Sequence, residues 1–267
     1  MIKLISLDLD GTALNPEGRL SDAVKAAIAK ARAAGVRVIF NTGRPAPEAF
    51  AFIREAETDT LVSTLGGAMV ADCATGQTLR RWDVAEPWGR RAVKICLGRD
   101  VKLMVFAGEE ILVKPDYKAL LEKVYPYPAF HQAATVTEDP LAYMEEHGLP
   151  LTKIHADGRP EDFPLAELAA LEGLTLTSSN PHDFEVVGEG VDKGQSLALA
   201  AALYGVPLEQ CAAVGDSDND LAALRAAGLS IAMGSAPKNV KDAAARIAPS
   251  NAEDGAAWAI LSCLPEC

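Results

Sequence analysis

No apolar run in the 267 residues approaches the roughly 18–20 needed to span a bilayer. Positive charge is scarce. Only 25 Lys and Arg face 37 Asp and Glu, giving a net charge of −12 and a pI near 4.8. Such a field repels nucleic acid and anionic lipid, so neither is an expected partner. Any site for an anionic ligand must therefore make its own local positive charge. Cysteines are few, scattered and odd in number: Cys73, Cys96, Cys211, Cys263 and Cys267. They form no zinc spacing and no disulfide framework, so a reducing cytoplasm is the expected compartment. Cys263 and Cys267 are candidates for exposed thiols, although a plain structural role is the commoner one. The opening MIKLISLDLD has a lysine and a short apolar stretch, but acids follow at once without a small-residue cleavage site, so it does not read as a signal peptide. Internal repeats and low-complexity tracts are also missing.

What is present is an ordinary globular balance, 49% hydrophobic and 23% charged, enough for one large domain or two modest ones. Ile2, Leu4, Ile5 and Leu7 run as a strand into Asp8. Ser21 reads as the cap of a helix with Val24, Ala27, Ile28 and Ala31 on one face, stopped at Gly35. A second strand over 36–40 leads into Asn41-Thr42-Gly43-Arg44. A helix opened by Pro45 and Pro47 follows to about Glu57, then a short strand over 61–63. The rhythm returns late: a helix from Lys193 to Tyr204, a strand over 211–214, a helix to about Ala227, a strand over 230–233 and a last helix from about Gly255. Strands alternating with helices predict an α/β fold with a parallel sheet.

Between these halves the texture changes. A hairpin is expected over about 72–84 with Gly76 in its turn. Strand-like pieces then fall at 102–106, 111–114, 152–156, 174–178 and 184–187, with helical pieces near 117–124, 139–147 and 164–171. The expected organisation is a core of 1–84 and 186–267, interrupted by an α+β domain over 85–185.

Four polar segments fall at ends of core elements, where ligands gather in open parallel sheets. They are Asp8-Leu9-Asp10, Thr42-Gly43-Arg44, Lys193 and Gly215-Asp216-Ser217-Asp218-Asn219-Asp220. If the strand geometry persists, Asp8 and Asp10 point to one side, and such close carboxylates need a shared cation. Asp216 completes a hard, all-oxygen site of the kind Mg²⁺ uses. Soft metals lack ligands there, because His131, His147, His155 and His182 all lie in the insert. A calcium loop starting at Asp216 fails, since its sixth and twelfth positions are Leu221 and Ala227 rather than Gly and Glu. Taken singly, each segment is more often a turn or a helix cap. The ordered set of four is far more specific than any member.

That set resembles the haloacid dehalogenase superfamily, in particular its Cof-type sugar-phosphatase branch with a large C2-type cap. The carrying motifs are DLDGT at 8–12, NTGR at 41–44, Asp192-Lys193-Gly194 and GDSDND at 215–220. The resemblance implies a Rossmann-like parallel-sheet core, an inserted α+β cap that selects substrate, and Mg²⁺ as cofactor. It implies that Asp8 is nucleophile and metal ligand, and that Asp10 is general acid and base, with its main-chain carbonyl on the metal. Asp216 becomes a metal ligand, with Asp220 supporting that site from behind. Thr42, with the amides of Leu9 and Gly43, would hold the phosphoryl oxygens. Lys193 would neutralise Asp8 and the phosphate, and Asn219 would contact the phosphate. The chain departs from the branch at Leu65, where Asn is usual before Gly66-Gly67, and at Ser235 in Gly234-Ser235-Ala236.

Arg44 can bind a phosphate as a planar fork, or pair with an acid, which is the commoner use. Asn180, His182 and Asp183 are candidate cap contacts, but such residues mostly make turns. The expected activity is Mg²⁺-dependent hydrolysis of small phosphate monoesters, sugar phosphates or phosphorylated cofactors, by a monomer or homodimer. The alternatives are a phosphotransferase or mutase working through the same aspartyl-phosphate, and a non-catalytic phosphometabolite-binding module.

Overall fold

The computed structural model describes residues 1–179 and 181–265. Asn180 and Cys267, both named above, lie outside them. The chain divides into two compact units, 1–80 with 192–267, and 81–191. The second unit extends past 85–185 at both ends. At the far end the reason is pairing: Glu185–Gly188 pairs with Leu174–Thr177, so the chain leaves that sheet only after Gly188.

The first unit is built on an eight-stranded sheet. Its order is Arg246–Ile247, Leu229–Ala232, Cys211–Gly215, Leu4–Leu7, Arg37–Asn41, Leu61–Thr64, Met69–Asp72 and Gln77–Arg81. The first six are parallel. Leu4–Leu7 is apolar or small at every position and wholly buried, as a central parallel strand covered on both faces must be. Its neighbours come from opposite ends of the chain, so strand order reverses here. Leu7 stands opposite both Phe40 and Val214, which brings Asp8, Thr42 and Asp216 to one edge of the sheet. The helix Asp22–Ala33 buries Val24, Ala27, Ile28 and Ala31, and Ser21 Oγ accepts from the Val24 amide at 3.2 Å.

The segment after Gly215 differs from the expected single helix. A 3-10 turn over Asp218–Asp220 precedes a helix limited to Leu221–Ala226. The cause is the Asp220 carboxylate, which folds back onto the amides of Asp216 and Ser217. No described helix is long and apolar enough to cross a membrane.

The second unit has a six-stranded, mostly antiparallel sheet: Leu174–Thr177, Asp183–Gly188, Leu151–Asp157, Lys102–Ala107, Glu110–Val113 and Ala134–Val136. Ile154, Ala156, Leu103, Val105, Phe184 and Val186 form its apolar core with the helices Trp88–Leu97, Pro140–His147 and Leu165–Ala169. Trp88–Leu97 was not expected, although Gly89, Ala92, Val93 and Cys96 are spaced as a buried helical stripe. Small side chains among basic ones make that stripe faint.

Alternation places Lys153, His155 and Asp157 on the opposite face from that core. Lys153 Nζ lies 2.6 Å from Glu185, and His155 contacts Glu185 at 3.4 Å and Asp157 at 3.2 Å. Burial alone would lower the His155 imidazole, but hydrogen bonds to Asp157 and Glu185 raise it from 6.5 to about 9. A base raised in the fold contributes stability below its unfolded value, and that contribution is lost as pH rises through its folded value. We expect chemical denaturation to find about 1–3 kcal/mol less stability at roughly pH 9.5 than at roughly pH 7. His155→Gln should flatten that difference. Equal pH dependence in the two proteins would contradict the assignment.

Candidate active site

The strand Leu4–Leu7 delivers Asp8 with its amide bonded to Val214 O at 3.0 Å. The chain then turns at once. Ala13 N bonds to Asp8 O at 3.2 Å and Leu14 N to Leu9 O at 2.8 Å, while Gly11 sits at φ +73°. The strand itself therefore ends at Leu7, although Asp10 keeps extended backbone angles of φ −75° and ψ 128°, and the two carboxylates meet separate cations, Lys193 and Arg44. The turn requires Gly11 twice over. Its φ is left-handed, and a Cβ there would lie 2.2 Å from Asp216 Oδ2. Thr12 Oγ1 donates to Asp216 Oδ1 at 3.2 Å, so one turn presents Asp8 and Asp10 and also seats Asp216.

Lys193 is the first residue of the helix Lys193–Leu203, whose cap Asp192 accepts from Gln195 N at 2.8 Å. A lysine at that end opposes the helix dipole, so helix stability does not account for it. Its side chain is 1% exposed, and the ammonium donates to Asp8 Oδ1 at 2.7 Å and to Asp220 Oδ1 at 2.6 Å. Several contacts fix this helix. Asn41 Nδ2 donates to Lys193 O at 2.9 Å, and Ser63 Oγ donates to Ser196 Oγ at 2.7 Å. Leu65 N and Gly66 N bond to Arg44 O and Thr42 O, both at 3.0 Å. A Cβ on Gly67, at φ +102°, would meet Asp192 O at 2.1 Å. The turn over 65–67 thus links the Thr42 loop to Lys193. Leu65 holds φ +55° with its side chain buried. Asn tolerates that region better than Leu, so the departure at Leu65 carries backbone strain of about 1–2 kcal/mol.

Thr42 is fully buried, and its Oγ1 accepts from Arg44 N at 3.1 Å. Arg44 does make ion pairs, one with Asp10, which no spacing rule identifies, and one with Glu48, four residues on. Nε and Nη2 reach both oxygens of Asp10 at 2.8 and 2.7 Å, and Nη1 reaches Glu48 Oε2 at 2.7 Å. Glu48 is the residue that sequence reasoning missed; its place in the first turn of the helix Ala46–Ala56, four residues after Arg44, was the available signal.

Carboxylate oxygens of Asp8, Asp216 and Asp220 lie within 4.8 Å of one another. Burial pushes the Asp8 carboxyl well up, and Asp220, Asp216 and Asp10 add to this against the pull of Lys193. Asp216 is pushed up to about 6, by burial and then by Asp220. Burial would discharge Lys193, but Asp220 and Asp8 more than reverse that and keep it an ammonium. One lysine does not balance the cluster, and a hard divalent cation fits the remaining deficit. Asp220 is the poorest of the three as a ligand. Its Oδ1 accepts from Lys193, and its Oδ2 accepts from the Asp216 and Ser217 amides at 3.0 and 3.1 Å. Asp8 and Asp216 are better disposed.

Asn219 lies in the same loop, its Oδ1 accepting from Ser217 Oγ at 3.0 Å. Ser235 is exposed. In the second unit, Asp183 accepts from Ser179 through both carboxylate oxygens, the turn-forming use, and His182 is exposed. Cys263 is not an exposed thiol: it is buried, with Sγ 3.3 Å from Ala259 O.

Comparison with known proteins places this geometry. The family model for haloacid dehalogenase-like hydrolases matches residues 5–260. Phosphatase YwpJ of Bacillus subtilis (strain 168) is 28% identical over 284 residues, covering 96% of this chain and 98% of its own. The 5-amino-6-(5-phospho-D-ribitylamino)uracil phosphatase YcsE of the same organism is 29% identical over 259 residues, covering 97% and 94%. The solved structure of a haloacid dehalogenase-like hydrolase from B. subtilis superposes with a TM-score of 0.83 at 26% identity, over 97% of this chain and 99% of that one. The chain belongs to the haloacid dehalogenase-like hydrolase family and is a Cof-type phosphatase within it.

Proposed function

We propose that this phosphatase hydrolyses small phosphate monoesters, sugar phosphates or phosphorylated cofactors, through an aspartyl-phosphate on Asp8. The observation that carries the proposal is the buried contact of Lys193 with Asp8 at 2.7 Å, beside Asp216. It sets a desolvated carboxyl group against a buried ammonium at the carboxyl edge of the sheet, where the cation opposes the upward push of burial and favours the ionised form that a nucleophile needs. The name of YcsE supports the substrate class, since what that protein acts on is a small phosphorylated metabolite.

Asp8 attacks phosphorus while Asp10 gives its proton to the departing alkoxide. Water then attacks the aspartyl-phosphate and returns a proton to Asp10, which restores Asp8. General acid–base help of this kind contributes about 10²–10⁴-fold. Two of the three Lys193 donors are taken by Asp8 and Asp220, and the third is assigned to a phosphoryl oxygen. Thr42 Oγ1, the amides of Leu9 and Gly43, and Asn219 hold the other oxygens. Mg²⁺ would be held by the carboxylates of Asp8 and Asp216 and the main-chain carbonyl of Asp10, with Asp220 bracing Asp216; when bound it supplies positive charge to the phosphoryl group. The second unit, as the inserted cap, is assigned the choice of leaving group.

The direct test is the purified protein with Mg²⁺ against a panel of phosphometabolites. We expect release of inorganic phosphate, and a loss of at least about 10³-fold in Asp8→Asn with an unchanged circular dichroism spectrum. Retained turnover in that variant would remove Asp8 from the role. Phosphate recovered on a second hydroxyl of the substrate would favour the mutase alternative. Gly11→Ala is expected to displace Asp216 and to weaken Mg²⁺ binding at least tenfold by calorimetry, since the added Cβ meets the Asp216 carboxylate at 2.2 Å. Unaltered affinity would mean that Asp216 is not a ligand.

A further inference from the structure

Arg44 is anchored on one side and engaged on the other. Its side chain is 8% exposed, and the guanidinium bonds Glu48, whose side chain is 1% exposed, on the helix Ala46–Ala56. It also lies 5.3 Å from the centre of the Phe52 ring one turn further on. The far edge of the same guanidinium grips both oxygens of Asp10, whose side chain is 58% exposed. The buried end therefore fixes the cation, and the cation fixes an otherwise open carboxylate. A planar fork sets the plane and reach of a carboxylate, which a point charge does not.

We propose that Arg44, braced by Glu48, is the positioning residue for Asp10, and that it sets where the proton is delivered to the leaving group. The proposal rests on the acid–base role given to Asp10 above. Both Asp10 oxygens are in the fork at rest. In its acid form Asp10 keeps one of the two contacts and turns its O–H toward the leaving oxygen. The proton passes to that oxygen as its bond to phosphorus breaks and the Asp8–phosphorus bond forms. The carboxylate so produced regains the second contact. When water attacks, the water proton moves to Asp10 and one contact is given up again. Arg44 itself neither gains nor loses a proton. Glu48 acts at one remove, by holding the guanidinium edge-on to Asp10.

A leaving group that needs little proton assistance should be indifferent to this device. The test compares 4-nitrophenyl phosphate with glycerol 3-phosphate, or whichever alkyl monoester the panel shows to be turned over. In Arg44→Met we expect kcat on the alkyl ester to fall about 10²-fold, and on the nitrophenyl ester less than about tenfold. Arg44→Lys should show the same bias, because an ammonium lacks the fork, while keeping the charge that Glu48 needs and so the fold. Glu48→Gln should show it in smaller measure. In an Asp10→Asn background, Arg44→Met should cost nothing further on the alkyl ester. Equal losses on both esters, or additive losses in the double variant, would overturn the proposal, since a merely structural arginine would produce them. Thermal melts of each variant exclude loss of the fold, and Arg44→Lys carries the test if Arg44→Met unfolds. The underlying reading fails separately: if Asp10→Asn itself shows no preference for the nitrophenyl ester, Asp10 is not the acid, and if Asp8→Asn remains active, Asp8 is not the nucleophile.

Discussion

Lys193 is a buried cation between two buried carboxylates, and the rest of the first unit is arranged to keep it there. Taking such ions out of water costs several kcal/mol each, and mutual attraction offsets this only when geometry and hydrogen bonds are good. The structure supplies both. Asp8 Oδ1 and Asp220 Oδ1 face the ammonium at 2.7 and 2.6 Å, and Asp220 Oδ2 is held by two backbone amides. Behind the lysine, Asn41 and the Ser63–Ser196 pair fix the helix from the sheet, and Gly67 lets the 65–67 turn close against Asp192. An arrangement of this kind is poor as a stability device and good as a reactive one. It keeps Asp8 desolvated, crowded by like charge and ready to be shared with a cation and a phosphoryl group.

Sequence reading recovered most of this because the chemistry falls at element boundaries, where turns and caps restrict which residues can stand. Asp8, Thr42, Lys193 and Asp216 were all found at strand or helix ends, and the alternating core strands and helices followed from apolar periodicity. The failures have physical causes. The turn after Leu7 depends on Gly11 and on bonds to Asp8 O and Leu9 O, which an Asp-x-Asp spacing does not reveal, and in place of one cation shared by both carboxylates Lys193 meets Asp8 and Arg44 meets Asp10. Arg44 was weighed as an isolated side chain, whereas its meaning lies in Asp10, 34 positions away, and in Glu48 beneath it. The helix Trp88–Leu97 hides its apolar stripe in Gly, Ala and Cys. The second unit was legible as an α+β insert but not in its buried charge cluster, since strand pairing brings Glu185 against Lys153 and His155, about 30 positions away in sequence.

The two positive groups divide the work in this reading. Lys193 attends the nucleophile and is buried; Arg44 attends the acid and reaches it from a buried base. In an acidic chain of net charge −12, each of these cations is already matched by two carboxylates, so the bound metal proposed above would have to supply the further positive charge that an anionic substrate requires. Of the two departures from the branch pattern, Leu65 reaches this pair only through its backbone, its amide bonding to Arg44 O at 3.0 Å, and Ser235 is exposed.

The central claim is that Asp8 carries the phosphoryl group. Rapid acid quench during turnover, reductive trapping with borohydride and peptide mass spectrometry test it directly, because an acyl phosphate is reduced to an alcohol where a free carboxylate is not. The account predicts homoserine at position 8, formed only with substrate and Mg²⁺ present. Turnover with aspartate intact at position 8, or homoserine at position 10 or 216 instead, would contradict it.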